Sequence, residues 1–255
     1  MDCPEGRLST QVEISVVVPV CDEADNVGPL AAEIATALAG HGYEILFVDD
    51  GSSDGTGERV LQLAAAGVAP LRLLRHSHRA GQSAALCTGV RHAHGERIVT
   101  LDGDGQNDPA DIPQLLAAQS RADGGRPVLA IGHRQGRRDT AWRRLQSRIA
   151  NAVRSRLLGD GAPDTGCGLK AFDRALFLEM PRFDHMHRFL PALVRRAGGE
   201  VVSVPVGHRQ RRHGRSKYGL FDRLWVGIVD LGGVMWLAHR AWARLEVREL
   251  TGEPR

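Results

Sequence analysis

The segment Ile14–Val20 is a nearly unbroken run of apolar, mostly β-branched residues. A strand without polar alternation is buried on both faces, which is typical of parallel sheets that helices cover on both sides. Up to residue 132, further short apolar runs alternate with segments of helical periodicity, which predicts an α/β fold with a doubly wound, mostly parallel (mixed) sheet. We predict strands at Ile14–Val20, Tyr43–Val48, Leu71–Leu74, Arg97–Leu101 and Val128–Ile131, and helices at Asn26–Ala39, Asp54–Ala66 (with Asp54 as its N-cap), Gln82–Ala93 and Pro109–Ser120.

Beyond residue 132 the elements are less regular. The sequence predicts a basic helix at Thr140–Leu158, a turn-rich loop at Gly159–Gly168 and a basic loop at His208–Tyr218. Short strands are predicted at Leu169–Phe172 and Val201–Val206, helical stretches around 174–180 and 186–197, and a longer helix at Leu220–His239.

Polar clusters follow three of the predicted strands at the points where they end. These clusters are Cys21–Asn26, Asp49–Asp54 and Asp102–Asp108. Ligands of open parallel sheets bind beyond the carboxyl ends of the strands, so we expect the clusters to converge on one crevice. Separate polar turns are the weaker alternative, because three acidic strand ends are more than chance would give.

The last of these clusters places Asp102, Asp104 and Gln106 at alternate positions after an apolar run. In an extended segment alternate residues share one face, and the glycines between them allow a ligand to come close. Carboxylate and amide oxygens are the ligands that Mg²⁺ and Mn²⁺ prefer. Spacing alone leaves two readings open, a metal site and an ordinary turn rich in Asp, Asn and Gly.

An acidic first half is followed by a basic segment. Residues 1–132 carry 9 Lys and Arg against 18 Asp and Glu, whereas residues 133–217 carry 19 against 7. This asymmetry indicates an anionic partner, although an arginine-rich solvated surface is the alternative. Only two residues of the chain are lysines, Lys170 and Lys217. The four cysteines form no CxxC pair, which indicates reduced thiols rather than a disulfide framework or a zinc site.

Six motifs together resemble family 2 glycosyltransferases of the GT-A fold, and more narrowly their polyprenyl-phosphate branch, which includes dolichol-phosphate mannose synthase. The resemblance covers about residues 14–220. One departure is Cys21-Asp22, where the family usually has Tyr-Asn, so the motif does not decide between uridine and guanosine. The motifs are Val17–Glu23, Val48–Thr56, Gly81–Leu86, Leu101–Gln106, Asp164–Lys170 and Arg211–Tyr218.

The resemblance implies roles for the residues at the strand ends. Asp104 and Gln106 would hold a divalent ion, Mg²⁺ or Mn²⁺, that bridges the donor's diphosphate, and Asp104 would thereby be catalytic. Asp102 would lie near the ribose, while Glu23 and Asp50 would contact the base. The predicted nucleotide-sugar site comprises Pro19, Asp22, Glu23, Asp50, Gly81 and Asp102.

The basic half would bind the acceptor phosphate. Arg211, Ser216 and Lys217 fit a phosphate clamp, in which Arg211 and Lys217 are also predicted to be catalytic. Arg143, Arg144 and Ser147 lie within two turns of one predicted helix and would add to the clamp. Asp164 is a candidate general base or sugar-hydroxyl ligand, and a loop aspartate that only stabilises its own turn is an equal alternative.

The predicted organisation is a polar tail (1–13), a GT-A domain (14–218), a helix (219–241) and a second tail (242–255). The domain divides into a nucleotide-sugar and metal half (14–132) and a basic acceptor half (133–218). The helix contains Trp225 and Trp236, and it either packs on the core or lies in the plane of a membrane. We favour the membrane alternative, because a lipid acceptor requires the enzyme to reach the bilayer. We find no signal peptide and no uncharged apolar run of about 18 residues, so we expect peripheral attachment to the cytoplasmic membrane face.

The leading hypothesis is an inverting, metal-dependent transferase that moves a sugar from a UDP or GDP donor to a polyprenyl phosphate, in cell-envelope glycan or glycolipid biosynthesis. Its expected partners are the donor, the lipid phosphate, the membrane surface and a small membrane protein. The alternatives are a family 2 enzyme that uses a saccharide hydroxyl acceptor, and a non-catalytic nucleotide-sugar or nucleic-acid binding protein. Nucleic acid is disfavoured because the basic stretch lacks interleaved aromatic residues for base stacking.

Overall fold

A computed structural model describes residues 11–120, 125–135, 154–210 and 220–240. These residues form one seven-stranded sheet in the order β3-β2-β1-β4-β6-β5-β7. The strand β6 runs antiparallel to both of its neighbours, and all other pairings in the sheet are parallel. The strands are β1 (Ile14–Val20), β2 (Tyr43–Asp49), β3 (Leu71–Arg75), β4 (Arg97–Thr100), β5 (Val128–Arg134), β6 (Lys170–Asp173) and β7 (Glu200–Val206).

Helices connect the strands and cover the sheet. Two short 3₁₀ turns, Pro109–Asp111 and Met186–Arg188, precede α4 and α6, and residues 154–158 are helical as well. The helices are α1 (Ala24–Ala37), α2 (Thr56–Ala65), α3 (Gln82–His92), α4 (Ile112–Ser120), α5 (Arg174–Leu178), α6 (Leu190–Arg196) and α7 (Leu220–His239).

The central strand β1 supplies both faces of the sheet. Val16 and Val18 belong to the cluster that packs beneath α1 and α4, whereas Val17 belongs to the cluster beneath α3 and α6. All three side chains are fully buried. Because successive side chains of a strand point to opposite faces, one apolar run fills two cores. This confirms the predicted sheet with helices on both faces.

The structure corrects two local details of the sequence prediction. Asp54 is not the N-cap of α2, because Gly55 occupies that position with a φ of 87°, while Asp54 accepts a hydrogen bond from the Thr56 backbone at 3.0 Å. The strand β5 continues to Arg134, three residues beyond the prediction, because it pairs with β7 as far as Val206. Of the predicted helix Thr140–Leu158, only residues 154–158 lie within the described residues.

The reversed strand β6 determines what the site contains. In its antiparallel pairing with β4, Lys170 lies opposite Thr100. The start of β6 therefore meets the carboxyl end of β4. As a result, the loop that precedes Lys170 enters the same edge of the sheet as the polar clusters.

Candidate active site

A cleft of about 430 Å³ opens at the carboxyl edge of the sheet. Pro19 from β1 and Asp102, which follows β4, line it, together with Gln82 at the start of α3. The loop before β6 and the turn before α6 complete the walls. The lining residues of this part are Arg134 at the end of β5, Lys170 at the start of β6, and Asp164, Thr165, Gly166, Cys167, Gly168, His187 and Arg188 from the loop and the turn.

The loops after β1 and β2 are bonded to each other. The backbone N–H of Asp22 donates to Ser52 Oγ at 2.9 Å, and Asp22 Oδ1 accepts from the Ser53 backbone at 2.8 Å. The backbone N–H of Glu23 donates to Thr56 Oγ1 at 2.9 Å. Two of the predicted polar clusters therefore form one rigid unit, while the predicted contacts of Asp22 and Glu23 with a nucleotide stay predictions.

Asp50 is buried and accepts three hydrogen bonds. Its donors are the backbone N–H groups of Ala80 and Gly81 and the ring of His76, each at 2.8 Å. Burial raises the pKa of the Asp50 carboxyl, but these donors outweigh it and leave the pKa below its ordinary value. Asp50 thus fixes the loop that ends at Gly81, whose φ is 93°. The predicted contact of Asp50 with the base stays a prediction.

Asp102 lies in a different electrostatic environment. Burial is the main cause that raises its pKa, and the nearby Asp104 raises it further, while Lys170 and Arg134 oppose the shift. Asp102 Oδ1 accepts a hydrogen bond from Gln82 Nε2 at 2.8 Å. The cleft therefore holds a carboxylate whose negative charge is destabilised, a group that a bound cation or hydroxyl donor would stabilise.

The segment after β4 is a turn, so the predicted extended geometry of Asp102, Asp104 and Gln106 is wrong. Gly105 has a φ of 72°, which bends the chain, and Asp104 Oδ1 accepts the backbone N–H of Gln106 at 3.1 Å. The two readings left open by the spacing are compatible, because a turn can also present its side-chain oxygens to a ligand.

The residues present fit a divalent ion. Asp104 is close enough to Asp102 to disfavour its ionisation, and Gln106 adds an amide oxygen donor two residues further on. Within the described residues no group of three or more His, Cys, Asp or Glu side chains forms a complete site. Mg²⁺ commonly takes one or two carboxylates and completes its shell with water and substrate phosphates, so this partial set suits an ion that arrives with a diphosphate.

Asp164 forms a two-pronged ion pair with Arg134 across the cleft wall. Arg134 Nε lies 2.7 Å from Asp164 Oδ2, and Nη2 lies 2.8 Å from Oδ1. Burial lowers the pKa of Arg134, but Asp164 outweighs it and raises the pKa above its ordinary value. The pair fixes the orientation of Arg134 in the cleft wall. The predicted role of Asp164 as a general base or a sugar ligand stays a prediction.

The loop that carries Asp164 is itself anchored from below. Arg154 Nε lies 3.0 Å from Asp160 Oδ2. Arg154 Nη2 donates to the carbonyl of Ala162 at 2.8 Å, and Nη1 donates to the hydroxyl of Thr165. Asp160 is fully buried. This network fixes the loop and so fixes the position of Asp164.

Lys170, Arg134 and His187 are among the cleft residues that the sequence prediction of the site did not include. Lys170 is buried and donates to the carbonyl of Cys167, and burial lowers its pKa. Arg134 and His187 also line the cleft. The scarcity of lysine in the chain was a usable signal for Lys170. Arg134 and His187 had none, because arginine and histidine are common in this sequence.

The predicted acceptor residues Arg143, Arg144, Ser147, Arg211, Ser216 and Lys217 lie outside the described residues. Described residues close to these segments in sequence lie at the carboxyl edge of the sheet. The backbone N–H of Gln135 donates to the carbonyl of Val206 at 3.1 Å, and that of Arg209 donates to the carbonyl of Gln106 at 2.9 Å. The predicted roles of the six residues stay predictions.

Comparison with known proteins identifies the family. The family model described as Glycosyl transferase family 2 matches residues 15–180. The chain belongs to glycosyl transferase family 2. This family 2 chain is 36% identical over 232 residues to dodecaprenyl-phosphate galacturonate synthase of Rhizobium johnstonii, covering 88% of this chain and 67% of that protein. It is 35% identical to undecaprenyl-phosphate 4-deoxy-4-formamido-L-arabinose transferase of Edwardsiella ictaluri, over 81% of this chain and 63% of that protein. The family 2 chain thus spans about two thirds of the length of these relatives.

Solved structures confirm the predicted GT-A fold of this family 2 chain. Mannosyl-3-phosphoglycerate synthase from Rubrobacter xylanophilus gives a TM-score of 0.65 at 19% identity, over 94% of this chain and 79% of that one. A mannosyltransferase from Pyrobaculum calidifontis, crystallised with GDP-Man and Mn²⁺, gives 0.63 at 20% identity, over 93% and 67%. At these identities the likeness concerns the fold alone.

Proposed function

We propose that this chain transfers a sugar, with inversion, from a nucleotide-sugar donor to the phosphate of a polyprenyl carrier lipid at the cytoplasmic face of a membrane. The observation that carries the proposal is the composition of the cleft. Asp102 lines the cleft beside β4, whereas Arg134, Lys170 and Arg188 line it from β5, β6 and the turn before α6, with Asp164 paired to Arg134. Such a cleft is suited to a metal-bound diphosphate on one side and an anionic acceptor on the other.

The names of the relatives point the same way. Both include a polyprenyl phosphate, dodecaprenyl phosphate in one and undecaprenyl phosphate in the other. The matches to these two relatives cover 88% and 81% of this chain. The sugar and the nucleotide are separate questions, because pocket shape rather than family sets them.

The proposed reaction needs an acceptor oxygen rather than a strong base. A phosphate monoester has a second pKa of about 6, so it is already ionised near neutral pH. Its oxygen attacks the anomeric carbon while the bond from that carbon to the nucleoside diphosphate breaks, and the diphosphate leaves with the electron pair. The ion pair between Arg134 and Asp164 supports this acceptor, because it holds a guanidinium in the cleft lining, where an anionic acceptor would bind.

On this proposal the chain's own residues position the two substrates. Asp104 and Gln106 would hold Mg²⁺ or Mn²⁺, which neutralises charge on the leaving diphosphate when bound. Arg211, Ser216 and Lys217 would orient the acceptor phosphate, with Arg143, Arg144 and Ser147 beside them. Asp102, Pro19 and Gly81 would shape the donor site, and Asp22, Glu23 and Asp50 would border its base.

The test is transfer of a radiolabelled sugar by the purified full chain. Detergent-dispersed undecaprenyl phosphate is offered with a panel of UDP- and GDP-sugars and Mn²⁺, and the lipid fraction is extracted. We expect label in the lipid with at least one donor, and a loss of about a hundredfold or more with Asp104→Asn. Asp25→Asn, which changes an exposed aspartate of α1, is the matched control and should be neutral. Absence of lipid label with every donor would contradict the proposal, and label in a saccharide acceptor instead would identify the alternative reaction.

A further inference from the structure

His187 lies in the 3₁₀ turn Met186–Arg188 and lines the cleft. Two contacts to Ser83 hold it in place. The Ser83 hydroxyl lies 2.7 Å from His187 Nδ1, and the backbone N–H of His187 donates to the same hydroxyl at 3.3 Å. Ser83 is buried in the first turn of α3, next to Gln82, which donates to Asp102. Two consecutive residues of one motif therefore fix two different walls of the cleft.

These contacts are compatible with one tautomer of the ring in particular. In it, the Ser83 oxygen accepts the backbone N–H of His187 and donates its own proton to Nδ1. The ring proton is then on Nε2, for which the described residues supply no hydrogen-bond partner. Burial, with Lys170 and Arg188 nearby, lowers the pKa of His187 to about 3, so the ring is neutral at physiological pH.

A neutral donor differs from the charged groups of this cleft. Asp102, Asp164, Arg134 and Lys170 are ionisable groups that suit metal-bound phosphates and charged acceptors. An uncharged N–H suits an uncharged oxygen, and the hydroxyls of the transferred sugar are groups of that kind in the proposed donor. A site built to hydrogen-bond a hydroxyl also rejects sugars that lack it, because its donor is then left unsatisfied.

We propose that His187 donates from Nε2 to a hydroxyl of the sugar being transferred and so contributes to the choice of sugar. This rests on the proposed function only as far as nucleotide-sugar binding, because it does not require the lipid acceptor. Ser83 is the positioning residue that holds the tautomer and the ring orientation.

The test compares a nucleoside diphosphate with its sugar conjugates. Calorimetric titrations with Mn²⁺ measure the affinity of the full chain for UDP, GDP and a panel of UDP- and GDP-sugars. For the donor that binds best, we expect His187→Leu to weaken the sugar conjugate about tenfold and the parent diphosphate by less than about twofold. His187→Gln, which keeps an N–H donor, should recover part of the loss. Ser83→Ala should give an intermediate loss.

His92→Leu is the matched control, because His92 is an exposed histidine of α3 outside the cleft lining. Equal weakening of diphosphate and sugar conjugate would overturn the proposal and place His187 at the phosphates. An unchanged affinity for both ligands would overturn it as well. Thermal unfolding of each variant separates a folding defect from a lost contact. A donor that binds normally while no lipid acceptor is used leaves this inference standing and removes only the lipid step. If no nucleotide or conjugate binds the wild-type chain, both proposals fail.

Discussion

At the scale of single residues, the carboxylates of Asp50 and Asp102 differ in how far the protein satisfies their charge. Asp50 accepts three hydrogen bonds and its pKa is lowered, so its negative charge is already satisfied by the protein. Asp102 has a raised pKa and accepts a side-chain hydrogen bond from Gln82. A carboxylate whose charge is stabilised by protein donors has a structural role, whereas a carboxylate whose charge the protein destabilises is available to a ligand. Asp102 is therefore the better candidate for direct contact with substrate.

Replacing Asp50 by Asn tests this division of roles. An amide presents one acceptor oxygen and brings its own donors, so at least one of the groups that Asp50 satisfies loses its partner. We expect Asp50→Asn to lower the free energy of unfolding by about 2–3 kcal/mol in urea denaturation at pH 7. Because the folded pKa of Asp50 is lowered, this stabilisation is present above the unfolded pKa of about 3.9 and is lost as pH falls through the folded value. The difference between wild type and variant should therefore shrink at acidic pH.

Asp25→Asn, on the exposed side of α1, should change stability by less than about 0.5 kcal/mol. An Asp50→Asn variant as stable as wild type would show that the loop from His76 to Gly81 is held by other contacts.

A sequence motif identifies residues that lie close together along the chain, and this limits what can be predicted at the scale of single residues. Asp102 and Asp104 were identifiable because their oxygen donors are adjacent in the sequence. The partner of Asp164 is Arg134, 30 residues away, and that of His187 is Ser83, 104 residues away. Such pairs depend on tertiary packing, which one sequence does not contain.

At the scale of elements, hydrophobic periodicity located the strands but not the direction of β6. The predicted bounds of β1 match the structure, and most others differ by one or two residues. Periodicity reports which faces are buried and is the same for a parallel and an antiparallel strand. Yet the antiparallel direction of β6 is what brings Gly168 and Lys170 to Asp102.

Gly168→Ala tests how tightly these two elements meet. A Cβ at residue 168 would lie 2.4 Å from the carboxyl carbon of Asp102, closer than any real contact. The loop before β6 or Asp102 must therefore shift, and we expect a loss of about 1–3 kcal/mol in unfolding free energy together with weaker nucleotide binding. Thermal unfolding with and without UDP and Mn²⁺ measures both.

The matched control is Gly28→Ala in α1, whose Cβ would meet Leu63 at an ordinary 3.8 Å. It should be neutral or slightly stabilising, because alanine favours a helix more than glycine does. If Gly168→Ala binds UDP like wild type and is equally stable, the close approach of the loop to Asp102 does not shape the site.

At the scale of the whole molecule, residues from both halves of the chain line one cleft. Gln82 and Asp102 from the first half lie in it with Arg134, Asp164 and Lys170 from the second. The sequence predicted an acidic half and a basic half, but not that one antiparallel strand would bring them together.

The helix α7 packs against the rest of the fold with one of its sides. Val234 is buried against α6, and Arg196 Nε donates to the carbonyl of Leu237 at 2.9 Å, so one side of the helix is anchored. Asp230 lies 3.1 Å from His185, which precedes the turn that carries His187. In the described part of the chain, no helix is long and apolar enough to cross a membrane.

Another side of α7 exposes large apolar side chains among the described residues. Ile228 is 53% exposed, Val229 59% and Trp236 62%. Ile228 and Trp236 are eight residues apart and so share one face of the helix. An apolar face that contains tryptophan is typical of a helix that lies in the plane of a membrane.

We expect the full chain to sediment with vesicles that contain phosphatidylglycerol. Apolar burial contributes about 25 cal/mol per Å², so replacing Ile228, Val229 and Trp236 by serine should lower vesicle partitioning by about tenfold or more without unfolding the chain. Leu61→Ser is the control, because Leu61 is 57% exposed on α2, away from this face. Raising the salt concentration should weaken binding only in part, since the apolar contribution is not screened. The opposite result would be a triple variant that binds vesicles as well as wild type, together with binding that high salt abolishes. It would show that the basic segments rather than α7 hold the protein at the bilayer.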